Sequence, residues 1–395
     1  MSVVHPTVRA KPSKPSPEFP LFAHATCRWA KKIRGKIHYF GPWEDPDAAL
    51  AKYLDQKALL HAGRLPRVEP EAPTVRDIAN AFLIHKAALR DAGELSPRTW
   101  LDYKAAADLL VKQFGRSRIV ADLGPSDFSS LRNILTKRWG PVRVRDFIQR
   151  IRSIFKHAFE SGTIASQIRF GPGFARPSKK TLRLERAKKG PKLFSPSQIR
   201  AMIRKANPSI RAMLLLGINC GFGNADCGTL PIAALDLAGG WVTFPRPKTG
   251  IPRRCALWPE TVSAIREALA VRPEPKDEAN AKLVFVTIQG HSWHKKIEDN
   301  PISKETAKLL KSLKLYRAKG LGFYTLRHCL ETIGGEAKDQ VAVDHIMGHA
   351  REDMASAYRE RISDARIRAV TDCVHNWLFA APVANITSSD KQTGK

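Results

Sequence analysis

The chain has 395 residues, and its 66 lysine and arginine residues against 37 acidic ones give a formal net charge of +29. This length predicts about two to three domains, and the charge favours nucleic acid as partner because each neutralised phosphate releases counterions. No apolar run approaches the roughly 18 residues of a membrane span, which excludes a membrane-spanning protein.

The N-terminal part is predicted to be a disordered tail and a small basic module. Residues 1–18, rich in proline, serine and lysine, lack the apolar stretch of a signal peptide. In residues 19–66, alternating apolar and basic residues around Gly35 predict a β-hairpin, and a helix follows from Asp45 to Leu60. The side chains expected on one face are Trp29, Ile33, Ile37 and Tyr39. The candidates for DNA contact, unless they only form a solvated edge, are Lys31, Lys32, Arg34 and Lys36.

Four helical patterns follow the proline-rich hinge at 67–73 and predict a compact helical domain over residues 74–170. They begin near Val75, Ser96, Pro125 and Pro141, and serine followed by proline is a favourable start for a helix. The candidates for DNA contact on the polar faces are Arg145, Arg150 and Arg152. Residues 171–194 have Glu185 as their only acid and are interpreted as a basic linker. Its candidates are Lys179, Lys180, Lys188 and Lys189.

A mostly helical C-terminal domain is predicted over residues 195–379, before a flexible tail at 380–395. It opens with a capping box formed by Ser195 and Gln198. Strands are expected at 241–244 and 253–257, joined by a turn that contains Lys248, and helices resume near residues 260, 303 and 324. The stripe on the last helix is expected to pack on its own domain or on a neighbouring subunit: Ile367, Val370, Val374 and Leu378. The fold class is mainly α with small β-sheets.

Three short stretches carry residues suited to breaking a phosphodiester by transesterification: YTLRH at 324–328, VDHIMGH at 343–349 and MASAY at 354–358. The reaction needs a nucleophile, cations for the non-bridging oxygens, an acid for the leaving oxygen and a base for the nucleophile. A tyrosine nucleophile conserves the bond energy in a phosphotyrosine, so that rejoining needs no ATP. Tyr358 is the candidate nucleophile, although a helical tyrosine also commonly serves in packing.

In order and spacing, these stretches resemble the tyrosine recombinase, or phage integrase, family. That family has an arginine in a HxxRH-like stretch, a histidine in an LGH-like turn and a tyrosine nine positions later, the separation of His349 and Tyr358. The resemblance covers residues 195–379 well and, by domain order, extends loosely to residue 19. It implies an arm-type DNA-binding segment at 19–66, a core-binding domain at 74–170 and a catalytic domain at 195–379, closing on DNA as a C-shaped clamp.

The resemblance also implies a role for each site residue. Tyr358 would form a 3′-phosphotyrosine, and Arg327 and His349 would bind the scissile phosphate. Lys248 would protonate the leaving 5′-oxygen. No metal or other cofactor is implied, and a homo-tetramer would assemble on the recombination sites. Read structurally instead, Arg327 would pair with Asp344 or Glu331, and Lys248 would be an ordinary turn lysine.

Two positions depart from the family pattern. Tyr324 stands where the family has a histidine, and a neutral phenol is a poor base near neutral pH. Gly223 stands where the family has its first arginine, while Asp226 keeps the acid three positions later. Either a nearby cation replaces that arginine, or backbone N–H groups at Gly223 hold the phosphate, or the protein binds DNA without cutting it efficiently. The candidate cations are Arg211, Arg253 and Arg254.

We therefore expect a site-specific recombinase or integrase of a mobile element that acts on double-stranded DNA. The alternatives are a catalytically weak or inactive DNA-binding protein derived from a recombinase, and a type IB-like topoisomerase. The separate basic N-terminal module favours site specificity. The six cysteines lack CxxC spacing and are interpreted as buried thiols of a reducing compartment. The expected location is the cytoplasm, on the nucleoid when DNA is bound, with no membrane partner.

Overall fold

The computed structural model describes residues 11–63, 72–188, 190–295, 300–316, 320–349 and 360–380. In these ranges the chain is mainly helical, with two small three-stranded antiparallel sheets, which confirms the predicted fold class. Buried residues form three separate hydrophobic clusters, within 19–60, 75–174 and 194–378. No helix in the described ranges has the length and apolarity needed to cross a bilayer.

The N-terminal module is a sheet covered by one helix. The strands are β1 (Phe22–His24), β2 (Arg28–Ile33) and β3 (Lys36–Pro42), and the helix is α1 (Pro46–His61). The Asp45 side chain caps α1 by accepting from the Ala48 N–H at 3.0 Å. The predicted hairpin and helix are therefore confirmed, and β1 adds a strand at the edge.

The predicted single face of this hairpin is wrong. Trp29 and Ile33 are buried, but Ile37 and Tyr39 are 43% and 41% exposed. Next to the turn, Ile33 pairs with Lys36, and Lys32 pairs with Ile37. Because paired side chains share a face and successive side chains alternate, Ile37 and Tyr39 lie on the face opposite to Ile33. The register shifts only beyond Tyr39, where Phe40 is the extra residue of a bulge opposite Trp29 and Ala30. Phe40 supplies the buried side chain of β3 instead.

Four helices form the next domain: α2 (Val75–Asp91), α3 (Pro97–Phe114), α4 (Pro125–Arg138) and α5 (Pro141–Glu160). All four lie where the sequence predicts them. Thr74 forms a capping box with Asp77, and Ser96 caps α3 through the Thr99 N–H. These caps explain why the helix starts were readable from the sequence.

The linker is not irregular throughout, because it contains the helix α6 (Lys179–Ala187) capped by Ser178. None of the α6 residues is buried, so α6 has no core-facing stripe of the kind that predicted the other helices. Both ends of the linker are anchored, since Phe174 is buried in the helical domain and Phe194 in the C-terminal domain.

The C-terminal domain is built around α8, which is buried from Ala212 to Asn219. Its helices are α7 (Pro196–Lys205), α8 (Pro208–Asn219), α9 (Asn224–Gly228), α10 (Pro259–Ala270), α11 (Glu278–Ala281), α12 (Pro301–Ser312), α13 (Thr325–Gly334), α14 (Gln340–Met347) and α15 (Asp364–Phe379). Its sheet has the strands β4 (Leu235–Asp236), β5 (Trp241–Thr243) and β6 (Arg254–Ala256). The predicted capping box at Ser195 is present.

The apolar stripe of α15 is buried within its own domain. Ile367, Val370, Val374 and Leu378 are each at most 1% exposed, and α15 packs against α7, α8, α13, α14 and β6. The sequence predicted that this stripe packs either on its own domain or on a neighbouring subunit, and in the structure it packs on its own domain.

The cysteines are free thiols, but they are not all buried. Four are buried, whereas Cys27 and Cys373 are partly exposed. Burial raises the pKa of the Cys220 and Cys227 thiols well above the ordinary value, so these two are poor nucleophiles.

Candidate active site

Arg327 lies where three segments of the C-terminal domain meet. It is 2% exposed, in the first turn of α13. Its Nη1 donates to the carbonyl oxygen of Gly221, and its Nη2 donates to that of Met347 at the end of α14. Burial lowers the pKa of the guanidinium, and the nearby charge of Arg246 lowers it further. Arginine nevertheless remains charged in proteins, so the site contains a fixed cation.

His349 contacts Arg327 directly. The His349 Nε2 lies 3.1 Å from the Arg327 Nη2. Gly348, which precedes it, ends α14 with φ +61°, a conformation that suits glycine and turns the chain toward Arg327. A guanidinium has no acceptor, so this contact requires a lone pair on Nε2 and a proton on Nδ1.

Two carboxylates face that Nδ1. Asp344 Oδ1 lies 3.5 Å from it and Glu331 Oε2 lies 3.7 Å from it. Gln340 Nε2 donates to both acids, at 3.1 Å to Asp344 and 3.0 Å to Glu331. One ligand atom from each of Glu331, Asp344 and His349 lies within 4.8 Å of the others, so an ion would fit, but the shared hydrogen bonds of Gln340 already account for the grouping.

Gly223 begins α9, and Asp226 binds both this turn and an arginine from the sheet. Asp226 Oδ2 accepts from the Gly223 N–H at 2.5 Å, and Asp226 Oδ1 accepts from Arg253 Nη2 at 2.5 Å. Arg253 also donates from Nε to the Phe244 carbonyl at 2.8 Å, and its guanidinium lies 4.2 Å from the centre of the Phe222 ring. The acid expected beside the missing arginine therefore holds Arg253.

The other two candidate cations have partners elsewhere. Arg254 pairs with Asp364 and lies 3.7 Å over the Trp241 ring. Arg211 donates to Glu267 at 2.8 Å and to the carbonyl oxygens of residues 203 and 206. Among the three candidates, Arg253 alone shares a bonding partner with the Gly223 turn.

Tyr324 lies at the mouth of this site. It is 48% exposed. A Cβ atom placed on Gly223 would be 3.5 Å from the Tyr324 ring, so the ring occupies the space beside the missing side chain. The ring also packs edge-on against His328, with centroids 5.5 Å apart.

Lys248 lies in the predicted turn between β5 and β6, and it is exposed. The turn is closed by the Arg246 carbonyl, which accepts from the N–H groups of Thr249 and Gly250. Lys248 is thus carried on an exposed hairpin tip rather than in the buried part of the site.

Arg246 belongs to the site but was missed by the sequence reasoning. Its Nη1 donates to the Gly348 carbonyl at 3.2 Å, and its positive charge lowers the pKa of Arg327. The available signal was its position as a second cation two residues before Lys248.

Tyr358 and Lys189 lie outside the described residues. The other predicted DNA contacts fall into two groups, and Arg34 belongs to both. Six are exposed: Lys32, Arg34, Lys36, Lys179, Lys180 and Lys188. Five have partners inside the protein: Lys31 with the Pro20 carbonyl, Arg34 with the His61 carbonyl, Arg145 with Asp146, Arg150 with Asp102, and Arg152 with the Phe174 carbonyl.

A basic cleft joins the linker to the active-site helix. It is lined by Arg183, Arg186 and Lys192 on the linker side and by His328 and Thr332 on α13. Burial lowers the pKa of His328, and the Lys192 charge lowers it further. His328 therefore faces a cationic groove next to Tyr324, rather than the hydrophobic core.

The C-terminal domain is similar to known proteins in sequence and in fold. The model of the phage integrase family matches residues 192–363. The integrase of transposon Tn1549, solved with transposon right-end DNA, is 14% identical with a TM-score of 0.56, over 77% of this chain and all of that one. The lambda integrase tetramer bound to a Holliday junction is 13% identical with a TM-score of 0.52, over 88% and 98%.

At these identities, the solved structures show a shared fold. No curated protein matches the chain in sequence. The family match covers the segment that contains Arg253, Arg327 and His349, and the fold agrees with it. Through residues 192–363 of its C-terminal domain, the chain matches the phage integrase, or tyrosine recombinase, family.

Proposed function

We propose that this protein is a site-specific recombinase of a mobile element that cleaves and rejoins DNA through a 3′-phosphotyrosine at Tyr358. The observation that carries the proposal is the 3.1 Å contact between Arg327 and His349. Two groups suited to one phosphate lie together in the domain that matches the family. Tyr358 follows His349 at the family's separation.

In the proposed reaction, the Tyr358 oxygen attacks phosphorus while its hydroxyl proton passes to water, and the bond to the 5′-oxygen breaks. Lys248, on its exposed hairpin tip, gives a proton to that oxygen and a free 5′-hydroxyl leaves. Arg327 and His349 hold the non-bridging oxygens, where preorganised donors stabilise the developing charge. The 5′-hydroxyl of a partner strand then attacks the phosphotyrosine and restores the tyrosine.

His349 must change partner to serve this reaction. In the contact with Arg327 its Nε2 accepts, so it donates to a phosphate only after gaining a proton there. Glu331 and Asp344 face Nδ1, so their oxygens lie on the side of the ring away from Arg327. Tyr324 is a hydrogen-bond donor at the mouth of the site and orients the phosphate.

The proposed DNA surface combines the exposed lysines of the linker with those of the N-terminal sheet. Lys179, Lys180 and Lys188 lie on or beside α6, and Lys32 and Lys36 lie near the β2–β3 turn. A linker helix with no buried residue is available to lie along a duplex and neutralise phosphates. Four protomers would assemble on paired recombination sites.

The second candidate function is DNA binding with little or no cleavage. The observation that favours it is Gly223, which removes a cation from the expected position. Loss of one stabilising group at a transition state typically lowers the rate by about a hundredfold or more.

A nicked suicide duplex that carries the attachment site separates the two functions. The site is to be sought in DNA flanking the gene. Cleavage releases a short strand, so wild type should accumulate a covalent protein–DNA adduct and Tyr358→Phe should form none. Tyr316→Phe is the matched control, because Tyr316 is an exposed tyrosine 5.1 Å from Lys311, and it should react normally. Binding without any wild-type adduct would select the non-cleaving function, and an adduct in Tyr358→Phe would refute this nucleophile.

A further inference from the structure

Arg253 is a buried guanidinium with one donor group left over. Its side chain is 2% exposed, and its Nε and Nη2 are bonded to Phe244 and Asp226. Its Nη1 is buried and has no hydrogen-bond partner among the described residues. Buried polar groups are nearly always paired in folded proteins. An unpaired charged donor therefore points to a ligand that supplies an acceptor.

This donor is also fixed in direction. Asp226 and the Phe244 carbonyl restrain two nitrogens of the guanidinium, while the Phe222 ring lies 4.2 Å from its face. A planar guanidinium held at two nitrogens and one face leaves Nη1 little freedom. Such preorganisation is typical of groups that stabilise charge during a reaction.

Arg253 lies beside the residues already assigned to the phosphate. Its Cδ would be 3.5 Å from a Cβ placed on Gly348, the neighbour of His349. Asp226, which holds Arg253, also binds the N–H of Gly223, and the carbonyl of Gly221 two residues earlier accepts from Arg327. The same turn therefore connects both arginines.

The hydrogen bonds of Arg327 end on neutral acceptors. They are two carbonyl oxygens and His349 Nε2, while Asp226 is bonded to Arg253. A phosphodiester bound between Arg327 and Arg253 would supply a negative charge to one guanidinium and an acceptor to the other.

We propose that Arg253 donates from Nη1 to a non-bridging oxygen of the scissile phosphate and so replaces the arginine absent at Gly223. This inference rests on the proposed function. As the Tyr358 oxygen bonds to phosphorus and the 5′-oxygen departs, negative charge on the non-bridging oxygens is shared between Arg253 and Arg327. The replacement comes from the residue directly before β6 instead of the turn before α9.

The test measures the rate of adduct formation on the suicide duplex, together with non-covalent binding by gel mobility shift. Arg253→Ala should slow adduct formation by roughly a hundredfold and change binding less than about threefold. Arg272→Ala is the matched control, because Arg272 also donates to carbonyl oxygens and also has an unpaired buried nitrogen. It should form adduct at the wild-type rate.

A second substrate separates a contact with phosphate from a structural role. A methylphosphonate at the scissile position removes one negative charge, so a lost cation matters less there. The ratio of wild-type to Arg253→Ala rates should fall from about a hundred on phosphate to below about ten. An unchanged ratio would show that Arg253 only supports the fold and would overturn the proposal.

If Arg253→Ala fails to fold, the double variant Arg253→Met with Asp226→Asn replaces it, because this variant removes both charges of the buried pair. Its rates of adduct formation are then measured on the phosphate and methylphosphonate duplexes. Rescue by methylphosphonate in Arg246→Ala, without rescue in the Arg253 variants, would overturn the proposal in favour of Arg246. If Arg253→Ala forms adduct as fast as an active wild type, this inference is wrong but the proposed function still stands. No adduct with wild type defeats the proposed function and, with it, this inference.

Discussion

The Asp226–Arg253 pair makes a quantitative prediction about stability. The two side chains are 9% and 2% exposed and their charged atoms lie 2.5 Å apart, so water screens the pair little. Removing one partner of a buried pair leaves an uncompensated charge and typically costs about 3–5 kcal/mol. Asp226→Asn and Arg253→Met should therefore each lower the free energy of unfolding of the C-terminal domain by about 3 kcal/mol or more.

The double variant should lose much less than the sum of the two single losses. With both charges gone, no buried charge is left unpaired, and a loss of no more than about 4 kcal/mol is expected, against about 6 kcal/mol for additive effects at the lower limit. The amide that Asp226→Asn introduces would still have an oxygen available to the Gly223 N–H, the second bond that Asp226 makes. The expected coupling is therefore at least about 2 kcal/mol.

Urea denaturation of the full chain measures these quantities. With a slope of about 2 kcal/mol per M, each single variant should move the midpoint of the C-terminal domain down by about 1.5 M. The helical domain, whose hydrophobic cluster is separate, should unfold at the wild-type midpoint and serves as internal control. Single losses that add to within about 0.5 kcal/mol would refute the pair as an energetic unit.

Two further predictions concern the surroundings of the site. The double variant Glu331→Gln with Asp344→Asn should slow adduct formation by about tenfold while DNA binding stays normal. The reason is that both carboxylates face His349 Nδ1, and charged hydrogen bonds contribute about 1.5–3 kcal/mol. An unchanged rate of adduct formation would contradict this role. The hydrogen bond to Arg366 lowers the pKa of Asp339, so this stabilisation is present above the unfolded-state pKa of about 3.9 and is lost as pH falls through the lower folded-state value. Arg366→Ala should therefore lower the free energy of unfolding by about 0.5–1 kcal/mol at pH 7, since the pair is partly exposed. In thermal melts, the difference from wild type should shrink steadily as the pH falls below about 3.9, and a difference that does not change with pH would contradict the prediction.

Helix starts were predictable because local chemistry determines them. Ser96 and Ser195 cap their helices through hydrogen bonds to residues three positions on, and both are followed by proline. Such contacts lie within one turn, so the sequence contains all of their determinants. The helix α6 was missed for the complementary reason that it has no buried face.

Features that depend on pairing between strands were not predictable. The pairing of Ile33 with Lys36 is set by how the two strands meet, and it puts Tyr39 on the face opposite to Ile33. At the site, the sequence could not choose between Arg253 and Arg254. Neighbouring residues in extended chain point to opposite sides, and only the register with β5 sends Arg253 toward Asp226.

The two bonds of Asp226 have a consequence for how this site varies among related chains. One oxygen binds the Gly223 N–H and the other binds Arg253, so a second guanidinium at this carboxylate would have to share an oxygen that already accepts a hydrogen bond. An arginine introduced at position 223 would also meet the Tyr324 ring, 3.5 Å from the added Cβ. If single substitutions shift the arginine between positions 223 and 253, one intermediate sequence must therefore have two arginines next to Asp226 or none. Such a step favours paired substitutions over single ones.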